Sequence, residues 1–137
     1  MKMKFHALAA AATLVLSGAS ASAAEQSFDT IKLPDGFSIS VFADTVPGVR
    51  TLAVGDKGTV FVGTRGPGKV YGLVDTDGDN VADKTYVVAE GLKTPNGVLF
   101  RDGSLYVGEI SRILRYDDIE NKLENPPEPV VVTDALP

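Results

Sequence analysis

The chain has 137 residues, 44% of them hydrophobic, no cysteine, and a formal net charge of −5 at pH 7. Its acidic balance excludes the basic footprint needed for nucleic-acid or anionic-membrane binding. The absence of cysteine excludes a disulfide framework, a thiol nucleophile and thiolate metal sites.

The first two dozen residues read as a leader. Lys2 and Lys4 precede the apolar run Ala7 to Leu16, small residues follow, and Ala21-Ser22-Ala23 fits the A-x-A cleavage pattern. The sequence therefore predicts a signal peptide over 1–23, cleavage after Ala23, and a periplasmic or secreted mature chain. The uncharged stretch 7–24 is near the lower length limit for a membrane span and is rich in Ala and Ser, so no stable span is expected. Cleavage removes Lys2, Lys4 and His6, leaving a more acidic chain without histidine. That takes away the commonest general base and the commonest metal ligand. Chemistry by the mature chain would rest on carboxylates, lysine, tyrosine or a bound cofactor.

Residues 25–35 form a polar lead-in. From Phe37 to Ala43 apolar and small polar residues alternate, which predicts a half-buried strand. Pro47-Gly48 marks a turn. Four strands follow, at Thr51–Val54, Thr59–Thr64, Val70–Val74 and Thr85–Glu90. Their separators, Gly55-Asp-Lys-Gly58, Arg65-Gly-Pro-Gly68 and the loop 75–83, carry turn chemistry. The plan repeats with strands at Gly97–Phe100, Ser104–Gly108, Ile113–Tyr116 and Val130–Thr133. Residues Asp117 to Leu123 could form one loose helical turn, and Asn125-Pro-Pro-Glu-Pro129 breaks any helix beyond it.

The two sets are copies of one unit. Gly58-Thr-Val-Phe-Val-Gly63 recurs as Gly103-Ser-Leu-Tyr-Val-Gly108, Lys69-Val70 as Arg112-Ile113, and Val87-Val88 as Val130-Val131. A repeat of about 45 residues holding four short strands is the mark of a β-propeller blade. The expected fold is all-β: residues 24–137 as an incomplete β-propeller, blade one over about 50–92 and blade two over about 95–137. Two blades are fewer than the roughly three that repeat architectures need, which points to a larger parent propeller. The strand at Phe37–Ala43 would close that parent's last blade.

In this order, Leu33-Pro-Asp-Gly-Phe37, Gly58-Thr-Val-Phe-Val-Gly-Thr-Arg65, Gly68-Lys-Val-Tyr71 and Asp75-Thr-Asp-Gly-Asp79 resemble the soluble quinoprotein glucose/sorbosone dehydrogenase family. So do Pro95-Asn-Gly-Val98, Leu105-Tyr-Val-Gly-Glu109 and Arg112-Ile-Leu-Arg-Tyr-Asp-Asp118, and the sorbosone-dehydrogenase branch is the most similar. The resemblance covers nearly all of the mature chain. It implies a six-bladed propeller that holds pyrroloquinoline quinone (PQQ) over its central channel. It also implies that a histidine acts as general base while the quinone oxidises a sugar or aldehyde, the electrons leaving the reduced quinone for a respiratory acceptor. The family's catalytic histidine and its cofactor-holding arginine and lysine residues lie beyond the matched region, so no catalytic residue carries over. The resemblance implies an N-terminal fragment that is inactive alone.

Three groups of residues could carry chemistry. Asp75, Asp77, Asp79 and Asp83 stand at positions one, three, five and nine of one loop, a spacing that can aim several oxygens at a Ca²⁺ ion. Asn80 stands where a calcium loop has Gly, and Tyr86 where it has a bidentate Glu. The plainer alternative is an Asp-rich turn tied by side-chain-to-backbone bonds. Arg50 and Asn96 occupy equivalent places before the first strand of each repeat, where they could contact PQQ or a sugar; the alternatives are a solvated arginine and a positive-φ turn. Arg65 and Glu109 end the second strands and read as an ion pair between repeats. Tyr71, Tyr86, Tyr106 and Tyr116 read as packing residues. No nucleophile elbow, Walker loop, dinucleotide fingerprint or zinc pattern is present.

Two other readings stay open. Pro95-Asn-Gly97 also resembles a motif of six-bladed metal-dependent lactonases, whose asparagine oxygen helps hold a divalent ion. Alternatively, the two-blade chain is a sugar-binding module of which three copies close a ring.

Overall fold

The computed structural model describes residues 28–137. The predicted signal peptide and His6 lie outside the described residues. The chain divides into two compact units, Met1–Pro34 and Asp35–Pro137. In the first, the described residues make a turn in which the Ile31 N–H donates to the Phe28 carbonyl at 2.8 Å. All the regular structure described belongs to the second.

The second unit holds two four-stranded antiparallel sheets, each with its strands in sequence order, and neither closes into a barrel. The first contains β1 (Val49–Val54), β2 (Val60–Thr64), β3 (Val70–Val74) and β4 (Lys84–Ala89). The second contains β5 (Gly97–Arg101), β6 (Ser104–Gly108), β7 (Ile113–Tyr116) and β8 (Val130–Thr133). The expected helical turn is a 3₁₀ turn at Ile119–Asn121. Among the described residues no helix is long and apolar enough to cross a membrane.

Turn chemistry explains why the strands stop where they do. Asp102 and Gly103 both have positive φ, 50° and 74°, the two-residue geometry whose twist suits a tight hairpin. Gly58 takes φ 86° in the longer β1–β2 connection, where its N–H donates to the Gly55 carbonyl at 3.1 Å.

The repeat holds at the level of register. Thr51 pairs with Gly63, Leu52 with Val62, Ala53 with Phe61 and Val54 with Val60. The second sheet pairs Gly97 with Gly108, Val98 with Val107, Leu99 with Tyr106 and Phe100 with Leu105. Gly63 and Gly108 then face Val70 and Ile113 across the next strand pair. The chain also leaves both sheets alike: the Leu92 N–H donates to the Gly68 carbonyl and the Leu136 N–H to the Ser111 carbonyl.

Successive side chains point to opposite faces of a sheet, so each sheet has two apolar faces. Phe61, Val70 and Val88 from one face of the first sheet meet Leu105, Val107, Leu114 and Tyr116 from the second, with Ile119 beside them. Phe61 and Phe100 stack with ring centroids 5.7 Å apart. Each large apolar side chain buried in that core stabilises the fold by about 1.5–3 kcal/mol. The outer face of the first sheet buries Val62, Tyr71 and Leu73 under Phe42, Ala43 and Val46.

That outer cluster corrects one expectation. Residues 37–43 form no strand. Phe37 is 71% exposed, and the Ala82 N–H donates to the Phe42 carbonyl at 2.8 Å. The alternating side chains of Phe37, Ile39 and Val41 stay exposed, and only Phe42 and Ala43 at the end of the segment lie on the sheet face. The tyrosines divide likewise: Tyr71 and Tyr116 are buried, whereas Tyr86 and Tyr106 are half-buried.

Candidate functional site

The β3–β4 loop, residues 75–83, gathers the acidic residues. One carboxylate oxygen each from Asp75, Asp77 and Asp83 lies within 4.8 Å of the others. Ca²⁺–oxygen distances of about 2.3–2.6 Å make such a span compatible with one coordination sphere. Asp79 stands outside this group; its Oδ1 accepts the Val81 N–H at 2.8 Å.

The loop is also tied to itself. Asp75 accepts the Gly78 N–H at 2.7 Å, the Asn80 N–H at 2.9 Å and the Asp77 N–H at 3.2 Å. Asp83 Oδ2 accepts the Thr76 N–H at 2.7 Å and the Thr76 hydroxyl at 2.5 Å. Gly78 and Asn80 take φ 83° and 68°, so Asn80 does occupy the left-handed conformation it tolerates. The Gly78 N–H holds the Asp75 carboxyl below its ordinary range, and the Thr76 hydroxyl does the same for Asp83. Both carboxylates are therefore ionised at neutral pH, the form a cation requires.

Arg50 and Asn96 sit where the first strands of the two sheets approach. Arg50 is the extra residue of a bulge between the Val49–Thr64 and Thr51–Gly63 pairs, and it is exposed. Its neighbour Thr51 donates its hydroxyl to the Asn96 carbonyl, bridging the two sheets. The positive φ near Asn96 belongs to Thr94, at 53°, whose carbonyl accepts the Asn96 N–H at 2.7 Å. Gly63 is closely packed at this junction. A Cβ there would stand 2.7 Å from the Pro95 carbonyl oxygen and 3.1 Å from Val98.

PQQ is a tricarboxylate, and firm binding calls for several cations or amide donors. One exposed guanidinium and one asparagine make an incomplete set, so Arg50 and Asn96 do not by themselves fit the cofactor.

The expected pairing of Arg65 with Glu109 is not the one formed. Glu109 Oε2 accepts the Arg112 Nε–H within its own hairpin, and the Glu109 side chain is 1% exposed. Glu109 Oε1 accepts the Lys93 N–H at 2.5 Å, tying the inter-sheet connection to the β6–β7 turn. Burial pushes this carboxyl up, but the Arg112 and Lys93 bonds outweigh it and hold the carboxyl low.

Glu120 escaped the sequence reading. From the 3₁₀ turn its carboxylate accepts the Lys57 N–H at 3.1 Å and the Thr59 N–H at 3.4 Å, stapling the second sheet to the β1–β2 turn of the first. Gly55 leaves room for it, since a Cβ there would meet the carboxylate. Partners more than sixty residues apart leave no local signal of such a contact.

Comparison with known proteins places these features in a family. DUF7133, described as a domain of unknown function, matches residues 23–124, and the chain belongs to that family. An uncharacterized protein of Borreliella burgdorferi is 25% identical over 112 residues, covering 81% of this chain. The chain spans 28% of the length of that relative.

Proposed function

We propose that this DUF7133 chain is the N-terminal part of an exported PQQ-dependent dehydrogenase of sugars or sugar-like aldehydes, its sheets being two blades of a six-bladed propeller. The observation that carries the reading is the stack of two four-stranded sheets in one register, with the glycine of Gly58–Gly63 recurring at Gly103–Gly108. The ordered motifs that resemble the sorbosone-dehydrogenase branch supply the chemistry.

In this proposal the quinone, where bound by the complete protein, would supply the two-electron oxidation of the substrate. Arg50 and Asn96 contribute one cation and one amide at the mouth between the first strands, and further blades contribute the general base and the remaining cations. The acidic loop acts apart from that mouth, as a structural Ca²⁺ site using Asp75, Asp77 and Asp83. The partner proposed for the complete protein is a respiratory electron acceptor.

The 137-residue chain alone then binds PQQ weakly and turns over nothing. A dye-reduction assay with PQQ and aldoses tests this; turnover by the purified chain would overturn the assignment of the catalytic base to further blades.

A further inference from the structure

At one end of the two sheets, successive connections are fastened into a row by backbone hydrogen bonds. The Arg65 N–H donates to the Gly48 carbonyl at 3.3 Å, joining the lead into β1 to the β2–β3 turn. The Leu92 N–H donates to the Gly68 carbonyl at 3.0 Å, joining that turn to the inter-sheet connection. The Ile110 N–H donates to the Lys93 carbonyl at 3.3 Å, joining the connection to the β6–β7 turn.

Each member of the row brings a cation. Arg50 stands at the start of β1, Arg65 and Lys69 flank the β2–β3 turn, Lys93 lies in the inter-sheet connection and Arg112 in the β6–β7 turn. Lys69 is met by Glu90 at 3.2 Å, and Arg112 by the buried Glu109. Arg50, Arg65 and Lys93 are exposed and form no salt bridge among the described residues. Asp134 stands past the row, after the outermost strand of the second sheet. The opposite strand ends carry the reverse sign, where Asp56, Asp102, Asp117, Asp118 and the acidic loop gather. A chain of net charge −5 thus presents a positive rim at one end of its strands. Fields of this kind steer and orient partners. Further sheets of a propeller would pack against sheet faces and leave these strand ends exposed.

We infer that this row docks an acidic segment of a partner protein, whose carboxylates meet Arg65 and Lys93. Cations on successive connections match carboxylates spaced along a chain, which one small anion does not offer. The guanidinium fork suits a carboxylate, and backbone bonds already hold the connections in place, so little ordering is lost on binding. The inference needs no part of the quinoprotein reading, and Arg50, given to the cofactor there, stays unchanged in its test.

A short polyglutamate peptide titrated into the isotope-labelled chain at low salt, followed by NMR, tests it. The acidic chain as a whole repels such a peptide, so binding requires this end. The amides of Arg65, Gly68 and Lys93 should shift, and those of the acidic loop should not. Arg65→Glu combined with Lys93→Glu should weaken binding by at least about tenfold, because like charges then face each other. Arg65→Lys combined with Lys93→Arg should retain most of it. Both sites are exposed, so the variants keep the wild-type circular dichroism spectrum and melting temperature. Salt at about 0.5 M, where the Debye length is only a few ångströms, should release the peptide. No binding at low salt, shifts confined to other surfaces, or a charge-reversed variant that binds as the wild type does would overturn the inference.

Discussion

Gly63 and Gly108 occupy equivalent places in the repeat and differ only in what stands opposite. At Gly63 the Pro95 carbonyl is 2.7 Å from any added Cβ, a contact that backbone cannot yield cheaply. Gly63→Ala should therefore cost about 1–3 kcal/mol through overpacking, whereas Gly108→Ala should leave the stability of the dilute chain unchanged. Urea unfolding of the two variants checks this, and equal losses would contradict the interface described. Glu120→Ala should cost about 1 kcal/mol by removing a charge-assisted bond between the sheets. The glycine pair was legible as a repeat in the sequence, but which copy is crowded depends on the neighbour that packs there. Glu109 teaches the same point: its position was legible, whereas the choice of Arg112 over Arg65 depends on hairpin geometry.

Among the elements, the strands were legible because their ends carry chemical instructions. Asp102-Gly103 enforces a two-residue hairpin, and Gly58 and Gly68 supply positive φ at the other turns. Residues 37–43 depart from the expected strand for a physical reason. Alternation marks the side chains that a paired strand would bury, but this segment pairs with no strand edge, and Phe37, Ile39 and Val41 stay exposed. The acidic loop was legible as a cluster, and the amide bonds that organise it explain its behaviour with pH. Folding lowers the carboxyl pKa values of Asp75 and Asp83 below the ordinary 3.8. Their contribution is therefore fully present above about pH 4 and is lost as pH falls through the lowered folded values. Protection of the Gly78 and Asn80 amides, followed by NMR on acidification, should fall in that window; protection that outlasts protonation of the Asp75 carboxyl, read in the same titration, would contradict the bonding described. If the loop holds Ca²⁺, saturation at one hundred times the dissociation constant stabilises the chain by about 2.7 kcal/mol. A calcium-dependent rise in melting temperature that Asp83→Asn abolishes is the expected result, and the absence of any rise would remove the metal from the proposal.

For the whole molecule, stacked sheets in a common register account for the buried core and for the two faces left open. Membership of DUF7133 places the chain in a family without assigning chemistry. The quinoprotein proposal therefore rests on ordered motifs in a repeat whose two copies share register. Arg50 and Asn96 were legible as equivalent positions, and their adjacency through Thr51 became visible only in three dimensions. The most direct test is to express the complete open reading frame containing this sequence, load it with PQQ, and assay dye reduction with aldoses and sugar-derived aldehydes. PQQ-dependent oxidation by the complete product, with none by the 137-residue chain, is the predicted result. A complete product that neither binds PQQ nor oxidises these substrates, or that instead hydrolyses lactones with a divalent metal, would contradict the account.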